Sequence, residues 1–538
     1  MKKHYNKKNG FSLGWLILII LLIGIGFWWY FSMSKINVIP PEIGQYGSDW
    51  PTANQNYSNT RLAIDSSINS SSISTLGLGW SFPISGVSEW GAATTNPLIL
   101  GNTVYFQDLK SNVYAVDFIS GKQLWKKEYN LDIAGPEGVA VGYGKIFAIK
   151  GHYNVTALDL KGNELWSTNL SNNQNIGIDI QPVVYGNTVY VSTVPGVSNE
   201  NFYKGGSTGI IYGLNIQNGS IKWSFDTVDT ADIWGNSKVN SGGGAWYPPA
   251  IDTATSILYW GVGNPAPWPG TTEFPNGTSR PGANLYTGSL LALNHSDGKL
   301  LWYNQVTPHD LFDYDLQISP ILANVSMGGI SKNVIFGAGK MGKVYAFDRT
   351  DGKVLWETAV GSHLNDNLKV LPAGITKVSP SPLGGVETNM AYANGILYVP
   401  VVDMTVDYTP SEFVAKSFDL TKGKGELVAV DATNGKILWA NKFNSINVGG
   451  ATVVNDLVFT ATYDGKIYAF NSKTGTQVWE YQALGGINGW PAVKGDTIIF
   501  PVGLGKTPVL LSFKIGTNLP KSVNPTIPAA GAGKGFQQ

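Results

Sequence analysis

A short motif that recurs along the chain constrains the fold more than any other feature of the sequence. Each copy consists of an apolar run, an Asp or Asn, a turn that contains Gly, and a second run that ends in Trp. Two β runs joined by a tight turn are the signal of a β-hairpin. The seven complete copies end at Trp125, Trp166, Trp223, Trp302, Trp356, Trp439 and Trp479. The motif therefore predicts a repeat architecture of antiparallel strands, in which the repeated Trp packs between neighbouring units.

Further strand-like runs lie between the copies, among them GNTVYFQD, GILYVPV and NDLVFTATYDG. Each unit then has four strands, as a propeller blade does. An eighth unit is divided, because GDTIIFPVGLGKTPVLLSFKIG lacks the Trp strand and LGLGWSF around Trp80 is such a strand without partners. Joining the two pieces predicts an all-β fold, an eight-bladed β-propeller of four-stranded antiparallel blades closed by N- and C-terminal strands.

The N-terminal sequence predicts a membrane anchor. Four lysines in the first eight residues precede an uncharged apolar run from Leu13 to Phe31, which is long enough for one transmembrane helix. Basic residues before the run and aromatic residues at its end orient the N-terminus inside and the propeller on the extracellular or periplasmic side. A cleaved signal peptide is the alternative to an uncleaved signal-anchor. The expected segments are a cytoplasmic basic stretch (1–12), the signal-anchor helix (13–31), a linker (32–48), the propeller (49–516) and a disordered tail (517–538).

Charge and cysteine content exclude several functional classes. Lys plus Arg and Asp plus Glu both number 37, so no global field recruits nucleic acid. The absence of cysteine excludes disulfides, iron–sulfur clusters and covalent c-type haem. Eight N-x-S/T triplets are compatible with an exported glycoprotein: Asn56, Asn69, Asn154, Asn169, Asn218, Asn276, Asn294 and Asn324.

Two intervals between repeats, Trp223–Trp302 and Trp356–Trp439, are about twice as long as the interval Trp125–Trp166, and insertions on a rigid scaffold are common places for binding chemistry. The first insertion contains GGGAW, GNPAPW and TPHDLFDYD. In these motifs and in its repeats, over roughly residues 49–516, the chain resembles the pyrroloquinoline-quinone (PQQ) dependent alcohol dehydrogenases. This family of eight-bladed propellers includes methanol dehydrogenase.

The resemblance implies a set of site residues. Trp246 would be the floor on which the quinone stacks, and Lys340 would be the basic residue near the quinone oxygens. Asp313 would be the general base, which takes the hydroxyl proton while a hydride leaves the substrate carbon. Asn264, Asp313 and Asp315 would be oxygen ligands of Ca²⁺ or a lanthanide, a Lewis acid beside the quinone.

The chain also departs from the family pattern. Lys204, with Glu200 nearby, falls where the family has a glutamate metal ligand, and Glu137 falls where an arginine grips a PQQ carboxylate. The vicinal cysteine pair of many members is missing. GGVETNMAY replaces a Gly-Gly-x-Asn-Trp element and offers Glu387 and Asn389 as cofactor contacts.

These features leave two functional hypotheses. The first is a membrane-anchored extracellular quinoprotein dehydrogenase-like protein, which oxidises an alcohol or a sugar and passes electrons to a separate quinone, copper protein or haem protein. The second is a non-catalytic PQQ-repeat propeller that serves as an envelope binding or assembly scaffold. For the site residues the alternatives are structural, since Asn264 could cap a turn, the two aspartates could be solvated, Lys340 could lie on the surface and Trp246 could be core.

Overall fold

The structure is a computed structural model that describes residue 1 and residues 38–198 and 202–517. The predicted signal-anchor helix and nearly all of the predicted tail lie outside the described residues, so both stay predictions. In the part that the structure describes, no helix is long and apolar enough to cross a membrane. The described portion of the predicted linker forms helix α1 (Pro41–Gln45), and Glu42 accepts a hydrogen bond from the backbone N of Tyr143 at 2.8 Å. Residues 38–48 therefore pack against the strands.

β-strands make up almost all of the regular structure. The first twenty are β1 (Leu62–Ala63), β2 (Leu76–Pro83), β3 (Leu98–Leu100), β4 (Thr103–Gln107), β5 (Val113–Asp117), β6 (Gln123–Lys127), β7 (Ala140–Gly142), β8 (Lys145–Lys150), β9 (Asn154–Asp159), β10 (Glu164–Asn169), β11 (Gly177–Ile178), β12 (Val183–Tyr185), β13 (Thr188–Val194), β14 (Ile210–Asn215), β15 (Ile221–Asp226), β16 (Ser241–Gly242), β17 (Ala250–Asp252), β18 (Ile257–Gly261), β19 (Pro265–Ala266) and β20 (Ser289–Asn294).

The remaining strands continue to the C-terminal end of the described chain. They are β21 (Leu300–Gln305), β22 (Ile321–Met327), β23 (Ile330–Gly339), β24 (Lys343–Asp348), β25 (Val354–Ala359), β26 (Thr376–Val378), β27 (Ala391–Ala393), β28 (Ile396–Asp403), β29 (Val406–Thr409), β30 (Glu412–Phe413), β31 (Lys424–Asp431), β32 (Ile437–Phe443), β33 (Thr452–Val454), β34 (Leu457–Ala461), β35 (Lys466–Asn471), β36 (Gln477–Gln482), β37 (Ala492–Lys494), β38 (Thr497–Val502) and β39 (Val509–Ile515). Four short 3₁₀ turns interrupt them at Ile73–Thr75, Pro275–Gly277, Ala415–Ser417 and Leu420–Lys422.

Eight sheets in the described chain contain a four-stranded antiparallel unit. Five units use successive strands: β3–β6, β7–β10, β12–β15, β22–β25 and β33–β36. Two are interrupted by insertions and consist of β17, β18, β20 and β21, and of β27, β28, β31 and β32. The last unit joins the early strand β2 to the C-terminal strands β37–β39, with Leu76 opposite Ile515 and Pro83 opposite Val509. The short strands β16, β19, β26, β29 and β30 belong to the predicted insertions and form two small sheets.

The burial of the strands follows their position in each sheet. The first strands of five units, β3, β7, β12, β17 and β33, are buried at every residue, as continuous apolar runs are when both faces of a sheet are covered. The fourth strands, such as β10, alternate between exposed and half-buried residues. The core therefore lies between the sheets and along their first strands.

The repeated tryptophans connect one sheet to the next. On the fourth strand of its unit, Trp125 donates its indole N–H to the backbone O of Leu160 in the following sheet, at 3.0 Å. Trp80, Trp166, Trp223, Trp356, Trp439 and Trp479 make the equivalent bond to a carbonyl of the sheet that follows each of them. A half-buried indole thus buries apolar area and satisfies its polar atom in the same contact.

The glycine of each repeat is required by this contact. Gly352 has a φ of +72°, and a Cβ at that position would lie 2.5 Å from the Trp302 ring. Positive φ and close approach of a neighbouring group are the two conditions that only Gly meets without strain. The same combination occurs at Gly121, Gly162, Gly219, Gly298, Gly435 and Gly475.

The segment before the first sheet crosses the ends of several sheets. Its backbone bonds to β3 at Trp50, to β17 at Tyr57 and to β22 at Ser58. Arg61 is fully buried, and its guanidinium donates to the carbonyls of Ala451 (2.7 Å) and Pro491 (3.0 Å). The segment therefore ties distant parts of the chain together.

Two glycine substitutions distinguish the stability cost of backbone strain from the cost of disturbing the tryptophan contact. We expect Gly144→Ala, at a φ of +71° with nothing within 4 Å of the new Cβ, to lower the free energy of unfolding by about 1–2 kcal/mol. Gly352→Ala has the same φ but strikes Trp302, so we expect about 1–3 kcal/mol more. Denaturant unfolding followed by tryptophan fluorescence measures both, and equal losses in the two variants would contradict the proposed role of the contact.

Candidate active site

A single cavity brings most of the predicted site residues together. Its volume is about 530 Å³, and its walls come from loops next to the first strands of several sheets. The predicted residues in its lining are Trp246, Asp313, Asp315, Lys340 and Glu387. The other titratable groups in the lining are Glu89, Asp179, Tyr203, Tyr247, Tyr463 and Lys506.

The loop between β21 and β22 presents two carboxylates to this cavity. Asp313 has a φ of +66°, a left-handed conformation that a non-glycine residue keeps only when its surroundings hold it. Asp310 supplies that support, because its carboxylate accepts hydrogen bonds from the backbone N of Phe312 (2.9 Å) and of Tyr314 (2.7 Å). The buried guanidinium of Arg280 donates to the backbone O of Asp310. Burial raises the pKa of Asp310 to about 6.

Lys340, which directly follows β23, lies between the two aspartates. Its Nζ is 3.1 Å from Oδ2 of Asp313 and 2.9 Å from Oδ2 of Asp315, and all three side chains are buried. Burial raises the pKa of Asp313 well above its ordinary range, and the ammonium of Lys340 acts in the opposite direction. Burial lowers the pKa of Lys340, but the two carboxylates outweigh it and raise that pKa well above its ordinary value. The cluster is therefore a buried ammonium shared by two carboxyl groups.

The second oxygen of Asp313 is the reactive feature of this cluster. Oδ2 is held by Lys340, whereas Oδ1 has no hydrogen-bond partner and is buried. A buried acceptor without a partner is costly, so it is a place where a ligand hydroxyl is expected to donate. A general base needs an oxygen that is free to accept a proton, and Asp313 Oδ1 meets that requirement.

Asn264 lies beside the aspartates but its side-chain oxygen is already bonded. The hydroxyl of Tyr203 donates to Asn264 Oδ1 at 2.7 Å, and the backbone N of Asn264 donates to Asp315 Oδ1. Tyr203 is the neighbour of Lys204, the residue that sequence comparison aligned with the family's glutamate ligand. Lys204 itself is exposed, and Glu200 lies outside the described residues.

The two residues of the second insertion have different environments. Glu387 lines the cavity, where Gln317 donates to its carboxylate at 3.3 Å. Burial raises the pKa of Glu387 to about 8. Asn389 does not line the cavity, and its Oδ1 accepts a hydrogen bond from the backbone N of Ser319 at 3.2 Å. The structure thus groups Glu387 with the other site residues and gives Asn389 a structural bond.

The lining residues that sequence reasoning did not identify include Tyr203, Gln317 and Asp179. Gln317 could have been found, because it follows Asp315 by two residues, the spacing that places side chains on one side of an extended chain. Tyr203 and Asp179 carry no local signal, since both reach the cavity from loops of the sheet that contains β12–β15, far along the chain from Asp313.

The cavity fits a planar polar ligand such as a quinone in the half around Trp246. The lining there contains buried polar atoms without partners, namely Gln317 Oε1, Thr388 Oγ1 and Trp490 Nε1. A Cβ on Gly244 or Gly263 would lie 3.0 Å from the Trp246 Nε1, so these glycines permit the indole to lie close against the backbone.

The fit to a metal ion is weaker. Asn264, Asp313 and Asp315 are oxygen donors of the kind that hard cations prefer, yet the chain's own donors Tyr203 and Lys340 hold them. Among the described residues, no group of three or more His, Cys, Asp or Glu side chains has the spacing of a metal site. A cation would have to displace Lys340, and we derive no reaction step through a metal.

Two family profiles match the chain. The profile "Glucose/ethanol/alcohol dehydrogenase, beta-propeller domain" matches residues 148–361. The profile "Outer membrane protein assembly factor BamB" matches residues 77–200 and 384–511. The matches together extend over most of the sheets described above.

Known proteins show the same relationship over most of the chain. The quinoprotein alcohol dehydrogenase PedH of Pseudomonas putida is 29% identical over 479 residues, which cover 77% of this chain and 78% of the relative. A lanthanide-dependent methanol dehydrogenase of Methylorubrum extorquens is 26% identical, with 80% and 82% covered. The crystal structure of the quinohemoprotein alcohol dehydrogenase from Comamonas testosteroni superposes with a TM-score of 0.75 at 22% identity, covering 88% of this chain and 82% of that one, and shows a shared fold. The chain therefore contains PQQ-repeat β-propeller sequence and is similar over most of its length to the quinoprotein alcohol dehydrogenases.

Proposed function

We propose that this protein is a quinoprotein dehydrogenase that oxidises an alcohol or a sugar. The observation that carries the proposal is the buried Asp313 carboxyl group, with Oδ2 on Lys340 and Oδ1 unpartnered. A PQQ cofactor, when bound, would supply the quinone that accepts a hydride. Trp246 would hold its ring, and Lys340 would lie near its oxygens.

The chain's own residues would carry the proton chemistry. Asp313 Oδ1 accepts the hydroxyl proton of the substrate as the substrate carbon loses a hydride, so that an alcohol becomes a carbonyl compound. Lys340 favours the ionised form of Asp313, because an ammonium at 3.1 Å offsets part of the desolvation. Asp310 and Arg280 hold the loop in the conformation that aims Asp313 at the cavity.

Several other features of the proposal concern the architecture. The eight sheets would close as an eight-bladed ring, which the pairing of β2 with β39 supports. The propeller would be anchored by the apolar run 13–31 and would face the outside of the cell. Its electrons would pass to a separate acceptor, because a chain without cysteine offers no covalent c-type haem site.

A non-catalytic scaffold is the second candidate, because the BamB profile matches residues 77–200 and 384–511. A scaffold has no requirement for an ion-paired carboxyl group with one unpartnered oxygen, and burying such a group costs stability. We therefore place the dehydrogenase first.

Substitution of the proposed base distinguishes the two candidates. With the full-length protein in detergent and added PQQ, we expect dye reduction by at least one alcohol or sugar of a panel. Asp313→Asn should lower kcat/KM by about 10²–10⁴-fold because the amide cannot accept the proton, with little change in the affinity for PQQ. The surface variant Glu412→Gln is the matched control. Activity that survives in Asp313→Asn would contradict the assignment, and the absence of both PQQ binding and turnover would favour the scaffold.

Metal binding at the aspartates is a separate part of the proposal and has its own test. We expect Ca²⁺ or a lanthanide to bind at Asn264, Asp313 and Asp315 only in competition with the ammonium of Lys340. Lys340→Met should therefore raise the affinity for Tb³⁺ by about tenfold or more, since it removes a positive charge about 3 Å from both carboxylates. Tb³⁺ luminescence excited through tryptophan measures the affinity, with Lys340→Arg as the charge-preserving control. Equal Tb³⁺ affinity in Lys340→Met and in the unmodified protein would argue against a metal at these oxygens.

A further inference from the structure

Two buried carboxyl groups outside the Asp313 cluster have no partner. Glu137 lies in the loop between β6 and β7, and Asp179 directly follows β11. Each is 1% exposed, and none of their four carboxyl oxygens has a hydrogen-bond partner. Nothing in the proposed reaction uses them, although buried acids are almost always paired.

Among the described residues, no cation acts on the charge of the pair. The charged group that acts on Glu137 is Asp179, which has the same sign. The polar side chains next to the loop of Glu137 bond to backbone carbonyls. Thr95 donates to the backbone O of Glu137 (2.7 Å), and Gln181 donates to the backbone O of Val139 (3.0 Å). Two ionised carboxylates in this environment would repel each other and lose hydration, a penalty of several kcal/mol per ion. The pair is therefore stable only when it holds at least one proton, as two carboxyl groups at one site do.

The titration of the pair follows from the same surroundings. Burial raises the pKa of both carboxyl groups, and the charge of Asp179 raises the pKa of Glu137 further. The phenol of Tyr247 is near enough to Asp179 to interact with its charge, but burial keeps the pKa of that phenol well above its ordinary value, so it stays neutral. The remaining ionisable lining groups are Glu89, Tyr203, Asp313, Asp315, Lys340, Glu387, Tyr463 and Lys506.

Asp179 lines the cavity that holds Lys340 and Trp246. Glu137 is not in the lining, but Gly135 and Pro136, the two residues before it, are. Thr94 also lines the cavity with an unpartnered Oγ1, which is 2.5 Å from the position of a Cβ on Gly135. This wall therefore presents the side chains of Asp179 and Thr94 with unused hydrogen-bonding capacity.

We propose that Glu137 and Asp179 form a proton-holding pair, from which Asp179 donates a hydrogen bond to an acidic group of the ligand in this cavity, namely a carboxylate of a planar quinone. This inference rests on the proposed function. Where the family resemblance aligns an arginine with Glu137, a protonated carboxyl group can donate to a carboxylate, whereas an ionised one repels it. Binding of a carboxylated quinone then requires the protonated pair, and it weakens as the pH rises and the pair ionises.

The affinity for PQQ as a function of pH tests the proposal. We would titrate PQQ into the full-length protein from about pH 5 to about pH 9, with tryptophan quenching as the readout. We expect Kd to rise by about tenfold per pH unit for each proton lost from the pair. The double variant Glu137→Gln, Asp179→Asn carries permanently neutral groups, so its affinity should lack this component. The exposed variant Glu412→Gln, outside the cavity, is the control, and it should keep the dependence of the unmodified protein.

Two further measurements distinguish failure of the proposed pair from failure of the proposed function. The neutral trimethyl ester of PQQ should bind without this pH dependence, because it has no carboxylate to be repelled. Infrared spectra at neutral pH should contain a protonated-carboxyl band that is lost in the double variant. PQQ binding with the same pH dependence in the unmodified protein and the double variant, or absence of the band, would overturn the pair while leaving the proposed function intact. Absence of PQQ binding at every pH in both proteins would overturn the proposed function and, with it, this ligand.

Discussion

The contact between each repeated tryptophan and the turn of the next sheet is the interaction on which the rest of the structure depends. A four-stranded sheet has two faces to cover. Each repeated indole covers part of a neighbouring face, and in seven of them the N–H bonds to a carbonyl there. The contact leaves no room for a side chain on the turn, which is why glycine recurs at that point. Successive sheets are thereby held in a fixed relation, and their first strands are buried together.

Main-chain bonds next to one sheet explain how residues from separate loops form one site. Lys340 follows β23 directly, and its backbone N donates to the carbonyl of Asp315 at 3.1 Å, so the ammonium and the carboxylates are positioned by main-chain bonds. Asp310 then fixes the strained Asp313 through two backbone amides. Strain of this kind persists only where the surroundings over-determine it, and a scaffold of eight sheets provides that support.

The repeat predicted the strands well because its signals are local: a hairpin turn, a required glycine and an apolar run. The motifs also lie close together, since Lys340 pairs with Asp313 and Asp315, and the backbone N of Asn264 donates to Asp315. The roles that the family resemblance implied for these residues stay predictions. Tyr203 and Asp179 could not be predicted, because they reach the cavity from loops whose path depends on packing between sheets. Asn389 illustrates a different difficulty. The sequence offered it as a cofactor contact, but its side chain accepts a hydrogen bond from the backbone of Ser319 and does not line the cavity.

The acidic lining of the cavity is a clear difference between this chain and the family pattern that it otherwise resembles. Only Lys340 and Lys506 oppose the acidic side chains in the lining, and Lys340 is already shared by two carboxylates. An anionic ligand would meet a repulsive wall if every acid were ionised, because low dielectric strengthens like-charge repulsion as much as attraction. Burial removes that conflict by raising the pKa of Glu137, Asp179 and Glu387. The same desolvation that makes these acids costly to bury thus makes the cavity compatible with an acidic ligand.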